Sequence, residues 1–486
     1  MTSPQGALRR LVHGTLMPGF VGTAAPAWIT EAYAAGLAAV CLHGPNMAGS
    51  QALSALCAAL RAGRPDVLIA IDEEGGDVTR VHYLEGSPEP GNAVLGRLDD
   101  TRLTRDSAAR VGRELTAYGI NLALAPVVDV NSADDNPVIG ARSFGGSPDH
   151  VSRHSAAWLD GIQGEGVAAC AKHFPGHGDT TVDSHHALPR ITASRDVLEV
   201  RELAPFRAAV AARAASIMTS HVVVEAVDPD VPATFSQRLL QGVLRGDLGF
   251  EGVIVSDALD MEGASGGLGV PEAAVRALAA GCDLLCLGFR TSPRVLGSVV
   301  DTVVHAVDTG RLPQRRVVEA AERVARLAAG WTPVAAGTSG TTPAPLTSDL
   351  VRDAFAVGAR ARAWLRLPGA PVIVQVETPS NPAVGDVPWG PSAAGATIER
   401  SLVPQGAKVA VAGRGLEPGH PARQLAEQLR ASGRETILVE CGWPRGEADI
   451  VTFGASRLVG QALAELLGVD AGSAGRRPGQ DPGGPE

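Results

Sequence analysis

The sequence predicts an α/β protein made of a (β/α)8 TIM barrel followed by a smaller C-terminal α/β sandwich domain. Two observations lead to this prediction. The chain has 486 residues and 45% hydrophobic content. This length exceeds what a single hydrophobic core ordinarily supports, so two domains are expected. Short aliphatic runs also alternate with Ala-rich helical segments, first over about 330 residues and then again, more briefly, near the C-terminus.

Eight aliphatic runs in the first part of the chain are predicted as strands. Each is short and followed by Gly, Pro, His or Asp, which is typical of parallel strands that are buried on both faces. The predicted strands are residues 11–17, 38–42, 67–71, 122–128, 167–171, 216–219, 252–255 and 283–287.

Helices are predicted between these strands, and several of them end at a glycine, the usual stop signal. Eight alternating pairs fit a closed barrel. A doubly wound open sheet is the alternative, but no G-x-G-x-x-G motif follows the first run to support it. The clearest predicted helices are residues 30–36, 105–118, 151–165, 197–213 and 272–280.

The domain organisation follows from changes in composition. Residues 1–331 are predicted as the catalytic barrel and 332–348, rich in Thr, Gly, Ala and Pro, as a linker. Residues 349–469 are predicted as the sandwich domain, with strands at 371–376, 408–412, 436–439 and 449–453 and helices at 421–432 and 458–467. The Gly/Pro-rich tail, 470–486, is predicted to be disordered.

Composition also narrows the possible partners. The formal net charge is −10 and no Lys/Arg cluster stands out, so nucleic acid is not an expected partner. No apolar run is long enough for a membrane span, and no signal sequence is recognisable at the start, so we expect a cytoplasmic protein. The six cysteines lie mostly in apolar runs and are expected to be buried, reduced thiols.

The barrel prediction requires chemistry at the C-terminal ends of the strands. Polar residues do follow five of the predicted strands, and this repetition favours an active site there. They are Asp72 after the third strand, Asp129 and Asn131 after the fourth, Lys172 and His173 after the fifth, His221 after the sixth and Asp257 after the seventh.

A histidine-rich segment, K-H-F-P-G-H-G at 172–178 and D-S-H-H at 183–186, is the most unusual part of the chain. Its Pro and Gly residues exclude a regular helix, so it is predicted as a loop. A metal site and an incidental surface loop are the alternatives. Catalysis is favoured, because imidazole both donates and accepts protons near neutral pH and Asp183 is placed to orient His185.

Two acidic segments supply candidate carboxylates. Asp257 ends an aliphatic strand in S-D-A-L, where it is either a nucleophile or the cap of a following turn. Asp72 begins D-E-E-G-G, in which the paired glycines allow close backbone approach to a ligand. Glu73 and Glu74 are expected to be structural or solvated.

Together these segments resemble glycoside hydrolase family 3, in its β-N-acetylglucosaminidase branch. The matching motifs occur in the family's order across residues 1–330, and the pairing of K-H-F-P-G-H-G with D-S-H is the specific one. They are D-E-E-G-G at 72–76, A-P-V-V-D-V at 125–130, I-G-A-R-S-F-G at 139–145, K-H-F-P-G-H-G at 172–178, D-S-H at 183–185 and S-D-A-L at 256–259.

The resemblance implies a role for each matching residue. Asp257 corresponds to the nucleophile, His185 to the acid/base residue and Asp183 to its dyad partner. The sugar-holding positions correspond to Asp72, Arg80, Arg142, Lys172 and His173. The family often reads D-Q-E-G-G-R-V at the first motif, so Glu73 and Asp77 are departures, which we expect to add negative charge near the mouth of the site.

The implied function is a retaining exo-β-N-acetylglucosaminidase that releases terminal N-acetyl-β-D-glucosamine from muropeptide or chitooligosaccharide fragments. No metal or cofactor is predicted. Phosphate is an alternative acceptor, because a neutral imidazole would not repel it, and this would make the enzyme a phosphorylase. From a different class, a non-catalytic sugar-binding protein is the remaining alternative, although the chain retains both Asp257 and His185.

Overall fold

The computed structural model describes residues 3–180, 188–331, 342–378 and 382–470. Besides a small sheet of Arg190–Ile191, Val223–Val224 and Asp228–Pro232, its first domain contains eight short parallel strands, which agree closely in position with the predicted runs. In chain order they are β1 (Leu16–Met17), β2 (Ala39–Leu42), β3 (Leu68–Ile71), β4 (Leu122–Ala123), β5 (Ala168–Phe174), β6 (Ser216–Thr219), β7 (Val253–Val255) and β8 (Leu285–Cys286).

The eight strands close into a barrel. Strands β2 to β7 form one parallel sheet in chain order, and β1 pairs with β8 in parallel. Single bridges join the two sheets on both sides, Gly19 with Cys41 and Val255 with Leu284. The predicted (β/α)8 TIM barrel is therefore confirmed, and the open doubly wound sheet is wrong.

Side chains alternate between the barrel interior and the surrounding helices. In β2, Ala39 and Cys41 belong to the interior cluster, whereas Val40 and Leu42 pack in the outer one. Both faces are buried, which explains why the strands are continuous apolar runs. The last barrel helix closes the N-terminal end of the strands, where the Trp331 carbonyl accepts a hydrogen bond from Asn121 Nδ2. The opposite end is left for a site.

Helices surround the barrel, and none in the described residues is long and apolar enough to cross a membrane. One difference from the prediction concerns residues 11–13, which end the first helix. There Leu8 and Val12 form a buried stripe, so the apolar run begins in an amphipathic helix. The helices are Pro4–His13, Ala27–Ala35, Ser50–Gly63, Asn92–Leu98, Thr101–Tyr118, Pro148–Gly164, the continuous run Arg195–Val197, Leu198–Glu202 and Leu203–Ala211, then Arg238–Asp247, Glu262–Ser265, Val270–Ala280, Pro293–Asp308 and Gln314–Gly330.

The second domain is a five-stranded sheet between helices. Its strands are β9 (Ala356–Val357), β10 (Pro371–Gln375), β11 (Lys408–Gly413), β12 (Thr436–Glu440) and β13 (Ile450–Val451), in the order β9-β13-β12-β11-β10. Only β9 runs antiparallel. The helices are Ser348–Arg352, Ala359–Leu365, Gly390–Ala393, Pro421–Ala431 and Arg457–Leu467. Most of the predicted linker (332–341) and of the predicted tail (471–486) lies outside the described residues, and the domain boundaries stay a prediction.

Hydrogen bonds to backbone groups join the two domains. Arg97 Nε donates to the Ala354 carbonyl at 2.6 Å, and Arg445 Nη2 donates to the Asn136 carbonyl at 2.5 Å. In the opposite sense, the Ala455 N–H donates to Asp77 Oδ1 at 2.7 Å. These contacts hold the second domain beside the C-terminal ends of the barrel strands.

A buried carboxylate fixes the start of β8. Asp283 Oδ2 accepts hydrogen bonds from Arg245 Nη2 at 2.6 Å and from the Ile254 N–H at 3.0 Å, and its Oδ1 pairs with Arg316. Its side chain is fully buried, and the two arginines, from different helices, are largely so. One residue thus ties two barrel helices to the strands.

We expect Asp283→Ala to lower the free energy of unfolding by about 3–5 kcal/mol, because it leaves buried guanidinium groups without their counter-charge. Urea unfolding followed by circular dichroism measures this. The control is Asp301→Ala, which removes an exposed ion pair with Arg9 and should cost at most about 1 kcal/mol. Equal losses in the two variants would contradict the assigned role of Asp283.

Candidate active site

One cavity of about 530 Å³ lies at the C-terminal ends of the barrel strands. This volume falls in the usual range for small-molecule sites. Apolar and thiol side chains form part of its lining, among them Cys41, Leu124, Met218 and Cys286, and charged side chains form much of the rest. The cavity therefore combines an apolar surface with a dense set of hydrogen-bonding groups.

A chain of alternating charges forms one wall of the cavity. Lys172 Nζ lies 2.7 Å from Asp72 Oδ1 and 2.8 Å from Glu74 Oε1. Glu74 in turn receives a bidentate pair from Arg142, at 2.7 and 2.9 Å. The Lys172 side chain is only 3% exposed. Each charge is therefore compensated by its neighbour, as buried charges require.

This wall stays ionised because its members stabilise each other. Burial disfavours the charged form of Asp72, but Lys172 and Arg80 outweigh that effect and hold its pKa well below the usual range. The pKa of Glu74 is lowered against burial in the same way, by Arg142 and Lys172. Burial is likewise outweighed at Lys172, whose pKa is raised by the two carboxylates. The wall thus offers a fixed pattern of donors and acceptors across neutral pH.

A second buried carboxylate orients one histidine near the end of β5 and another in the loop that follows it. Asp129 Oδ2 lies 2.7 Å from His173 Nδ1, and Asp129 Oδ1 accepts the His177 N–H at 2.8 Å. Holding Nδ1 of His173 on the carboxylate directs the other edge of the ring away from it. Burial, with a contribution from His173, lowers the pKa of His177 to about 4, so this second ring is neutral at physiological pH.

Asp257 lies just beyond the end of β7 and lines the same cavity. Its backbone N–H donates to Thr219 Oγ1 at 3.3 Å, and its Oδ1 accepts the Ala258 N–H at 2.7 Å. The first bond ties it to the neighbouring strand β6, and the second fixes its carboxylate. A carboxylate held in this way at the barrel mouth is suited to attack on a bound substrate.

The second domain completes the rim of the cavity. Pro382 and Ala383 are among its lining residues. Arg80 holds this segment, donating from Nη1 to the Val384 carbonyl at 3.0 Å and from Nη2 to the Ala383 carbonyl at 2.5 Å. Arg80 lines the cavity as expected, but these hydrogen bonds join it to the other domain.

The structure brings together six of the eight predicted site residues. Asp72, Arg80, Arg142, Lys172, His173 and Asp257 all line the cavity. The other two, Asp183 and His185, lie outside the described residues. The roles assigned to all eight stay a prediction.

Glu73 and Asp77, which are expected to add negative charge near the mouth, are not among the residues that line the cavity. Glu73 points away from the cavity and accepts the N–H groups of Arg80 and Val81, at 2.7 and 2.9 Å. Asp77 faces the second domain, where it accepts the Ala455 N–H. Glu73 therefore supports the backbone of Arg80 and Val81, whereas Asp77 helps to join the barrel to the second domain.

Sequence reasoning missed two buried carboxylates. Glu74 was expected to be structural or solvated, yet it lines the cavity and pairs with both Arg142 and Lys172. Asp129 follows the fourth predicted strand, a position that alone indicates no particular role. The available signal is charge balance, because the predicted sugar-holding residues include two arginines and a lysine but only one carboxylate, Asp72.

A buried carboxyl also lies beneath the loop that leads from β5 to the predicted acid/base segment. Glu202 Oε2 lies so close to Gly176 that a Cβ there would be 2.5 Å away, which explains the glycine. Its Oε1 accepts from Arg201 Nε at 2.6 Å, and Arg201 also pairs with Asp179 in the loop. Burial raises the pKa of Glu202 to about 7, against the opposing effect of Arg201.

Comparison with known proteins decides the family. The model of the glycosyl hydrolase family 3 N terminal domain matches residues 21–327. The chain belongs to glycosyl hydrolase family 3. The predicted enzyme class, a glycoside hydrolase, is confirmed by this membership.

Similar proteins cover one or both domains. A β-hexosaminidase of Alkalilimnicola ehrlichii is 38% identical over 319 residues, which are 63% of this chain and 90% of the relative. A family 3 β-N-acetylglucosaminidase structure from Paenibacillus sp. is 30% identical with a TM-score of 0.81, covering 95% of this chain and 96% of the other. The β-N-acetylhexosaminidase structure from Beutenbergia cavernae is 31% identical with a TM-score of 0.61, and covers 66% and 98%.

The raised pKa of Glu202 predicts a pH-dependent contribution to stability. The folded protein holds this proton to higher pH than the unfolded chain, so the contribution is complete below pH about 4.5 and is lost as pH rises to about 7. As pH rises across this window, the free energy of unfolding of Glu202→Gln should increase relative to that of the wild type by about 1–3 kcal/mol. Urea unfolding at several pH values measures the difference, and parallel profiles for the two proteins would contradict it.

Proposed function

We propose that the protein is a retaining exo-β-N-acetylglucosaminidase that hydrolyses terminal N-acetyl-β-D-glucosamine. The observation that carries the proposal is the placement of Asp257 in one cavity with the charged wall of Asp72, Glu74, Lys172 and Arg142. A nucleophilic carboxylate facing an array of donors and acceptors is what a retaining glycosidase requires. The similarity to β-hexosaminidases supports the choice of sugar.

The charged wall is suited to a terminal sugar ring. Asp72 offers carboxylate acceptors, Lys172 and Arg142 offer donors, and neighbouring hydroxyls of a pyranose act as both. His173, held through Nδ1 by Asp129, presents its other edge for a further hydroxyl. Because the last barrel helix closes the far end of the barrel, the sugar enters from the mouth.

In the proposed mechanism Asp257 attacks the anomeric carbon and His185 protonates the departing glycosidic oxygen. The neutral His185 then activates water, which releases the sugar from Asp257, while Asp183 orients the imidazole. The length of chain after Thr180 allows His185 to reach the cavity. Thr180 bonds to His177 at the cavity wall, at 2.8 Å, and five extended residues span about 17 Å.

Water is favoured over phosphate as the acceptor by the charge around the described part of the cavity. Five carboxylate residues line it, Asp72, Glu74, Asp257, Asp260 and Glu262, against three cationic ones, Arg80, Arg142 and Lys172. Lys172 and Arg142 are already paired with carboxylates. A phosphate dianion would meet net negative charge here, whereas water would not. We propose muropeptide or chitooligosaccharide fragments as substrates, since both present this terminal sugar.

Asp257→Ala should reduce kcat for an aryl N-acetyl-β-glucosaminide by at least about 10³-fold, because the covalent step is lost. Glu251→Ala is the matched control, since Glu251 is an exposed acid before the other end of β7 and should keep near-wild-type kcat. Mass spectrometry of a trapped fluoro-sugar adduct should place the label on Asp257. A label on another residue, or high residual activity, would contradict the assignment.

His185→Gly should lower kcat/KM strongly for glycosides with poor leaving groups and little for those with good ones, because only the former need a proton in the first step. A series of aryl glycosides with graded leaving-group pKa measures this. Equal losses across the series would argue against an acid role. Repeating the assay in phosphate buffer should yield free sugar, and accumulation of the sugar 1-phosphate would identify a phosphorylase instead.

A further inference from the structure

A cluster of side chains that could hold a metal ion lies outside the catalytic cavity. Asp99, His150 and His154 each offer a ligand atom, and these atoms lie within 4.8 Å of one another. None of the three lines the catalytic cavity. His150 and His154 are four residues apart on the helix Pro148–Gly164, so they share one face. Asp99 directly follows the helix Asn92–Leu98, in a left-handed conformation.

The spacing of these atoms matches a tetrahedral zinc site. Zn²⁺ binds imidazole nitrogen at about 2.0–2.1 Å and carboxylate oxygen at about 2.0–2.2 Å, which puts ligand atoms about 3.3–3.5 Å apart in a tetrahedron. Asp99 Oδ1 lies 3.4 Å from His150 Nδ1 and 3.4 Å from His154 Nε2. Two edges of the tetrahedron are therefore already formed.

The two rings are held in place by their surroundings. His154 is fully buried, its Nδ1 lies 2.7 Å from Thr104 Oγ1, and its ring stacks on Phe144 at 5.4 Å. When Nδ1–H donates to this hydroxyl, Nε2 turns a lone pair towards Asp99, an arrangement that a cation between them would satisfy. His150 packs over Gly96, where a Cβ would lie 3.1 Å from its Nε2.

One protein cation competes for the same position. Arg153 Nη2 donates to Asp99 Oδ1 at 3.0 Å and to His150 Nδ1 at 3.3 Å. Its side chain is about half exposed, so it can turn into water when another cation arrives.

We propose that Asp99, His150 and His154 form a site for a divalent transition metal such as Zn²⁺, with water as the fourth ligand. Two imidazoles and one carboxylate favour Zn²⁺ over Mg²⁺ or Ca²⁺, which prefer oxygen ligands. The metal would join the end of one helix to the start of another. Because His154 stacks on Phe144, the metal would also stabilise the loop that carries Arg142 into the catalytic cavity.

Calorimetric titration of the chelator-treated full chain with ZnCl₂ tests this site. We expect the wild type to bind one equivalent that Asp99→Asn and His150→Ala lose or bind at least about ten-fold more weakly. Asn suits the left-handed position of Asp99, so this variant should remain folded. Arg153→Ala should tighten binding, because it removes the competing cation. The same titration with MgCl₂ should give no binding.

Substitution with Co²⁺ gives an independent readout, because a tetrahedral site with two imidazoles produces a visible absorption band. The band should be absent in His150→Ala and retained in His173→Ala, which alters only the catalytic cavity. No Zn²⁺ binding by the wild type, or binding that all three variants near Asp99 leave unchanged, would overturn the proposal. Activity on an aryl glycoside, measured without metal, should be unchanged in Asp99→Asn.

Discussion

The buried Lys172 ammonium is the interaction on which the candidate site depends. It lies between Asp72 and Glu74, at the end of β5 and opposite the end of β3. An ammonium with so little exposure is tolerable only when carboxylates surround it. The two acids and Arg142 must therefore remain charged and correctly positioned. The geometry of one wall of the cavity follows from that requirement.

Buried polar side chains also hold the loops around this wall. Asp129 fixes His173 and His177 through hydrogen bonds to side-chain and backbone groups. Asn136, in the loop after β4, donates to the His177 carbonyl and so ties the two loops together. The loops at the barrel mouth are thus fixed by buried polar side chains. Such networks position functional groups more firmly than surface loops do on their own.

Much of the fold could be predicted because strand and helix periodicities differ and a barrel buries both faces of its strands. The error at residues 11–13 arose because a short apolar run looks the same at the end of an amphipathic helix as in a strand. The residues at strand ends were found for a similar reason, since topology alone collects them at one mouth. The directions in which the side chains of Glu73, Glu74 and Asp77 point depend on the geometry of the turn after β3, which sequence patterns do not encode. The contact of Arg80 with residues more than 300 positions away could not be inferred from one sequence.

Arg80 binds the second domain through main-chain oxygens of Ala383 and Val384, and this has an evolutionary consequence. Every residue type carries a carbonyl, so mutations in that segment can alter side chains without removing the acceptors. The segment at the rim can therefore diversify while the domains stay docked. Side-chain changes in this segment can therefore alter which aglycones the rim accepts, while the contact between the domains is preserved.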